Sequence, residues 1–210
     1  GDVLVLAHVK ELVEQNHEKY ETYGTKAGIY SAGLNRKDEN HKVTFGSIQS
    51  VARASESFFK KFSILVVDEC HRISLDEDSQ YLQVIKKLQN INPSICVLGL
   101  TATPYRLGMG WIYEFNHKGF LCSEEKRFFK KCLYDLPLSY MIENNFLTMP
   151  IKIDAPVACY DFSDLKLKGE HGKYSVSEIK EVLSDQKRVT PGIIGHIVNM
   201  AKDRQGVMIF

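Results

Sequence analysis

Ser63-Ile64-Leu65-Val66-Val67-Asp68-Glu69-Cys70-His71-Arg72-Ile73 is the stretch on which the fold turns. An apolar, β-branched run is followed at once by two acids, a thiol and an imidazole. A short continuous run of this kind reads as a buried strand. Downstream, residues 79–89 place Tyr81, Leu82, Val84, Ile85 and Leu88 at helical spacing, facing inward, with Lys86-Lys87 toward water. A second buried strand follows at 95–100 and ends at Thr101-Ala102-Thr103-Pro104. The segment between the two strands is long enough for a parallel β-α-β crossover, which needs about a dozen residues. Asp68 and Thr101 are therefore predicted at the ends of adjacent parallel strands.

The same alternation extends upstream. Residues 3–7 form a near-continuous apolar run of the kind buried on both sheet faces, 9–23 a helix closed by Gly24, 27–31 a weaker strand, 35–42 a polar loop, 43–45 a strand and 47–53 a short helix. This is an α/β pattern, a parallel sheet flanked by helices. Beyond Pro104 the regularity fails. Residues 105–116 read as irregular, 131–136 as a strand, 137–144 as a helix, 149–157 as extended and 165–173 as an exposed basic loop. Helices at 176–183 and 191–202 lead into a last strand. There is no internal repeat and no low-complexity tract.

Composition narrows the function classes. The 210 residues are 44% hydrophobic and 25% charged, close to a globular average. Lys plus Arg is 27 and Asp plus Glu 26, a net charge of +1, which excludes a histone-like polycation but not a local basic groove. No apolar run approaches the ~20 residues that span a bilayer, and no signal segment opens the chain, so a cytoplasmic protein with no membrane partner is expected. The five cysteines, Cys70, Cys96, Cys122, Cys132 and Cys159, form no CxxC pair and read as free thiols of a reducing compartment. His8, His17, His41, His117, His171 and His196 lack metal spacing. The chain opens with Gly1-Asp2 directly before an apolar run and closes on Gly206-Val207-Met208-Ile209-Phe210, a beginning strand; both ends suggest a fragment of something longer.

Ligands of open parallel sheets bind beyond the carboxyl ends of the strands, where Asp68 and Glu69 stand. In nucleotide hydrolysis one carboxylate at such a place holds Mg²⁺ through its water shell. An adjacent carboxylate can orient or deprotonate the attacking water. An Asp-Glu pair by itself is a common acidic turn, but Cys70 and His71 behind so apolar a strand weigh against that reading.

Asp68-Glu69-Cys70-His71 resembles the DExH box, the Walker B motif of superfamily 2 helicases, and Thr101-Ala102-Thr103 resembles their motif III. Leu6-Ala7-His8-Val9-Lys10-Glu11-Leu12 is similar to motif Ia, and Thr44-Phe45-Gly46-Ser47-Ile48-Gln49-Ser50-Val51-Ala52-Arg53 to the next backbone-contacting motif. Together with Gly108-Met109-Gly110-Trp111-Ile112-Tyr113, the series resembles the RadD (YejH) branch, bacterial DNA-repair helicase-like ATPases, from Val3 to Phe210.

The resemblance implies a RecA-like sheet, with an incomplete helicase lobe one over 1–116, a linking region over 117–205 and the first strand of lobe two at 206–210. It implies ATP and Mg²⁺ as cofactors, with Mg²⁺ on Asp68 through water. Glu69 would activate water, and His71 with Thr101 and Thr103 would couple nucleotide state to lobe closure. It also implies DNA, single-stranded or branched, at His8, Lys10, Ser47, Gln49, Ser50 and Arg53, with other repair proteins as partners. Ser and Gln donors and a guanidinium suit phosphate contacts.

The family's phosphate loop, Gly-x-x-x-x-Gly-Lys-Ser/Thr, does not occur; the one Gly-Lys, Gly172-Lys173, precedes Tyr174. The lobe-two arginine motif is also missing, so a fragment that is inactive alone is expected, not a degenerate family member. Lys60-Lys61, Lys86-Lys87, Lys126-Arg127 and Lys130-Lys131 read as solvated surface. Trp111 with Tyr105, Tyr113 and Phe115 suits a satellite core or stacking on bases. The expected function is an ATP-dependent DNA helicase or translocase-type ATPase in DNA repair. The alternatives are the translocating subunit of a restriction system and a nucleotide-independent nucleic-acid scaffold.

Overall fold

The computed structural model describes residues 1–73, 79–106, 109–151, 160–163, 165, 175–187 and 189–207. They fall into two units, Gly1–Asp135 and Leu136–Phe210. In the first unit, apolar runs alternate with helices: β1 (Asp2–Ala7), α1 (Lys10–Glu21), β2 (Gly28–Ser31), β3 (Arg36–Lys37), β4 (Val43–Ser47), α2 (Ile48–Val51), α3 (Glu56–Phe59), β5 (Phe62–Val67), α4 (Gln80–Ile91) and β6 (Cys96–Gly99). The sheet order is β3-β2-β4-β1-β5-β6. All neighbours are parallel except β2 and β3. The mixed α/β class with a mostly parallel sheet is thus the one read from the sequence, and β5 and β6 are adjacent and parallel as predicted.

Two cores lie on opposite faces. On one, Leu4, Leu6, Leu65 and Val67 pack against Phe58, Phe59, Phe62 and the inner side of α4. That side is Tyr81, Leu82, Val84, Ile85 and Leu88, all buried, as the helical spacing required. Each such fully buried large side chain contributes roughly 1.5–3 kcal/mol of transfer free energy. On the other face α1 lays Val13 over Ala7, Ala27, Ile29 and Phe45.

Several expectations are corrected. β5, expected as a buried strand, is buried on one face only: Leu65 and Val67 are buried, whereas Ile64 is 37% exposed. The reason is placement, since α1 packs on β1, β2 and β4. The polar stretch 35–42 is not all loop. Asn35 takes a left-handed conformation (φ 53°) that an Asn tolerates better than most residues, and the chain reverses into β3 along the edge. Asp38 then ties the edge down, accepting the Ile29 N–H (3.0 Å) and the Arg36 guanidinium (2.6 Å). Lys87 does not point to water; its Nζ donates to the Ala52 carbonyl at 2.8 Å.

The stretch 105–116, expected to be irregular, holds short pairings: β7 (Tyr105–Arg106) antiparallel to β8 (Gly110–Trp111), and β9 (Tyr113–Phe115) parallel to β10 (Phe129–Lys131). The strand expected at 131–136 therefore lies earlier, at β10. Trp111 stacks on Tyr113 (5.4 Å) and meets Tyr105 edge-on (5.5 Å).

The second unit contains α5 (Leu138–Glu143), α6 (Val176–Asp185) and α7 (Val189–Met200). The Gln186 side-chain amide clamps Asp161, accepting its N–H and donating to its carbonyl, both at 2.8 Å. Of the segment expected to be extended at 149–157, residues 152–157 lie outside the described residues, as do 166–173 of the basic loop and 208–210 of the last strand. No helix of the described residues is long and apolar enough to cross a membrane. Cys70, Cys96, Cys122 and Cys132 are free thiols, and Cys159 is outside the described residues.

Candidate functional site

The chain leaves β5 at Val67 and stays stitched to both neighbouring strands. Asp68 N–H donates to the Leu6 carbonyl, Leu100 N–H to Val67 and Cys70 N–H to Leu100, each at 2.9 Å. Glu69 sits at φ 51°, ψ 45°, the left-handed region, which in a residue with a Cβ costs roughly 1–3 kcal/mol and persists only where the surroundings enforce it. Here the enforcement is visible on both sides. The Glu69 N–H donates to Asp68 Oδ1 at 2.9 Å, and the next residue, Cys70, is buried against Gly99.

A Cβ built on Gly99 would lie 2.5 Å from Phe129 Cζ, 2.6 Å from Cys70 Sγ and 2.9 Å from Cys70 Cβ. Only a glycine lets the turn and the end of β6 approach so closely. Burial pushes the Cys70 thiol from 9.0 up to about 12, so it stays neutral and acts as packing, not as a nucleophile. Burial likewise raises the neighbouring Tyr81 phenol to about 12.

The polar groups converge above this junction. His71 Nδ1 lies 2.9 Å from Thr101 Oγ1, 3.3 Å from Thr103 Oγ1 and 3.2 Å from Glu69 Oε2. Thr103 N–H donates to Thr101 Oγ1 at 3.0 Å. A carboxylate only accepts, so the Glu69 contact is a hydrogen bond when Nδ1 carries a proton. Glu69, His71, Thr101 and Thr103 thus form one hydrogen-bonded set bridging the ends of β5 and β6. Ala102 is exposed beside it.

Asp68 is held separately: Asn16 Nδ2 donates to its Oδ2 at 2.9 Å. With one bond to each oxygen, the carboxylate is fixed in direction and keeps lone pairs for a further ligand. No group of three His, Cys, Asp or Glu among the described residues can enclose a metal. Such a lone, oriented carboxylate fits Mg²⁺, which keeps most of its waters and takes its remaining ligands from phosphates.

A second site lies at the same carboxyl end of the sheet. A groove of about 300 Å³ is lined by Lys10, Ser47, Gln49, Ser50 and Arg53, together with Tyr30, Ser31, Ala32, Gly33 and Lys37. Five of the six expected nucleic-acid residues meet here. The sixth, His8, does not line the groove; its carbonyl accepts the Gln49 amide at 2.9 Å. Ser50 Oγ accepts the Ala32 N–H and the Ser47 hydroxyl, each at 2.9 Å. α2 therefore ties the loop after β1 to the turn after β2 and fixes the groove walls.

Sequence reading missed Asn16 and Lys37. Asn16 left a signal: it lies three residues after buried Val13 and one before buried His17, a polar side chain on the inward face of α1. Lys37 left none.

The sequence profile of the family described as "Type III restriction enzyme, res subunit" matches residues 1–106. The ATP-dependent DNA helicase Hel308 of Methanococcus vannielii is 35% identical over 103 residues, a match covering 46% of this chain and 13% of that protein. The chain thus spans only 13% of the length of this curated relative. Among solved structures, the UvsW helicase from bacteriophage T4 is similar at 22% identity with a TM-score of 0.40, covering 50% of this chain and 37% of that one. A second structure of T4 UvsW gives 0.39 at 22% identity, over 49% and 21%.

Proposed function

Because the chain belongs to the family of the type III restriction enzyme res subunit, we propose that its protein is a superfamily 2 ATPase that uses ATP and Mg²⁺ to translocate along or unwind DNA, in the service of DNA repair. The finer placement beside the RadD branch is part of this proposal. So is the division into lobe one at 1–116, a linking region at 117–205 and the start of lobe two at 206–210.

The observation that carries the reading is the His71 cluster. One imidazole nitrogen touches the Glu69 carboxylate and both threonine hydroxyls across two adjacent strand ends. In this reading Asp68, oriented by Asn16, takes the Mg²⁺ water shell. When bound, Mg²⁺ offsets the charge of the transferring phosphate. Glu69 accepts the proton of the attacking water. His71 exchanges partners between Glu69 and the threonines, so freeing Glu69 is linked to a shift of the Thr101–Thr103 segment. The groove supplies cations and hydroxyl donors, and its one aromatic residue, Tyr30, is buried. That favours backbone contacts without base readout.

Phosphoryl transfer needs its phosphates positioned as well as its water. No Gly-x-x-x-x-Gly-Lys-Ser/Thr loop occurs in the 210 residues. The segment by itself is expected to bind Mg-ATP no tighter than about millimolar and to hydrolyse none. The test is ATP hydrolysis by the full-length gene product with and without single-stranded DNA. Stimulation by DNA supports the reading. DNA binding with no hydrolysis points to a nucleotide-independent scaffold. The family description favours one second reading, the translocating subunit of a restriction system, which a DNA-cleavage activity in the full-length protein would identify.

A further inference from the structure

Lys37 belongs to no motif, yet the fold brings it into the groove. It lies on β3, opposite Tyr30 in the antiparallel pairing, and directly opposed residues share a face. Tyr30 and Lys37 accordingly line the same groove. The neighbouring Arg36 makes an ion pair with Asp38 at 2.6 Å. Lys37 has no such partner among the described residues, and neither do Lys10 or Arg53. Three uncompensated cations around one groove repel one another and raise the local concentration of anions.

The groove floor points the same way. Ser31 is fully buried and lines the groove, yet its hydroxyl has no hydrogen-bond partner. Leaving a buried hydroxyl unpaired is unfavourable, and an acceptor arriving in the groove would relieve it. Ser50, already accepting two bonds, has its own proton left to donate. Lysine ammonium, arginine guanidinium and hydroxyl donors in one concave site match a phosphate oxyanion.

We propose that Lys37 closes the groove from the β3 side onto the phosphodiester backbone of a nucleic-acid strand, adding a contact to those of Lys10 and Arg53, with the Ser31 hydroxyl as a donor beneath it. The inference rests on the DNA-translocase reading above. Free inorganic phosphate shares the chemistry and is distinguished by the experiment.

The test is fluorescence anisotropy of a labelled single-stranded oligothymidylate with the full-length protein across a sodium chloride series. Each neutralised phosphate of a single strand contributes about 0.7 to the slope of log K against log salt. Lys37→Ala should reduce the slope by about that amount, and Lys37→Arg should restore it. Lys26→Ala, at an exposed lysine outside the groove, should leave the slope unchanged. Because Lys37 is exposed on a two-residue edge strand, its variants should keep the wild-type far-ultraviolet circular dichroism. If wild type binds DNA and Lys37→Ala leaves the slope unchanged, the role of Lys37 is overturned while the DNA reading stands. If wild type does not bind DNA, both fall. If inorganic phosphate binds in a Lys37-dependent way without any DNA binding, the groove is a small-anion site and the proposal is overturned.

Discussion

Replacing Gly99 by alanine adds one methyl group where the end of β6, Cys70 and Phe129 meet. The new Cβ would lie 2.5 Å from Phe129 Cζ, 2.6 Å from Cys70 Sγ and 2.9 Å from Cys70 Cβ. The ring tip can swing, but Cys70 cannot retreat freely, because its N–H is bonded to the Leu100 carbonyl at 2.9 Å. Overpacking of this kind destabilises by about 1–3 kcal/mol. The lower entropy of an unfolded chain with alanine returns about 0.4–1 kcal/mol, so the net loss should be about 1–2 kcal/mol. With a urea dependence near 2 kcal/mol per molar, the midpoint falls by about 0.5–1 M with unchanged slope.

Cys70→Ala removes the 2.6 Å contact, so Gly99→Ala should be less harmful in that background, with a coupling of about 0.5 kcal/mol or more. Urea denaturation of the four members of the cycle measures it. Strict additivity, or a Gly99→Ala variant as stable as wild type, would refute the claim that the missing methyl at Gly99 is what lets the Asp68-Glu69-Cys70 turn and β6 approach so closely.

Three further outcomes follow from the packing and the charges. Leu65→Ala empties a fully buried position in a central strand and should destabilise by about 2–5 kcal/mol in urea melts; a loss below about 1 kcal/mol would contradict the described core. Asn16→Ala removes the donor to Asp68 Oδ2 and should raise the Mg²⁺ concentration needed for half-maximal ATP hydrolysis by roughly tenfold or more; an unchanged Mg²⁺ titration would show that Asp68 needs no such orientation. Burial raises Cys70 from 9.0 and Tyr81 from 10.0, each to about 12. The unfolded chain therefore releases these protons while the folded chain keeps them. Their contribution is complete only well below pH 9 and declines as pH rises toward 12. Urea midpoints should fall between about pH 8 and pH 10.5, and fall less in Cys70→Ser; a flat profile would show that neither group is sequestered.

The frame of the first unit was legible because its signals are local. The inner side of α4 follows from helical spacing alone, and the strand ends at Asp68 and Thr101 follow from where apolar runs stop. What covers a strand is not local. Ile64 and Leu65 look equally apolar in sequence, but only Leu65 lies under helices. β3 was invisible because two polar residues pair only after Asn35 reverses the chain. The core of the candidate site was legible in the order of its residues, whereas its positioning partners were not: Asn16 lies 52 residues from Asp68, and Lys37 reaches Lys10 and Arg53 only through the sheet.

The central claim is that the β5 turn carries a water-activating carboxylate, and Glu69→Gln in the full-length protein tests it most directly. The substitution keeps shape and hydrogen bonding but removes the base, so ATP turnover in the presence of single-stranded DNA should fall by roughly 10²-fold or more. Mg-ATP binding, measured in parallel by calorimetry, should be retained. Near-normal turnover with Glu69→Gln would contradict the account and remove Glu69 from the chemistry.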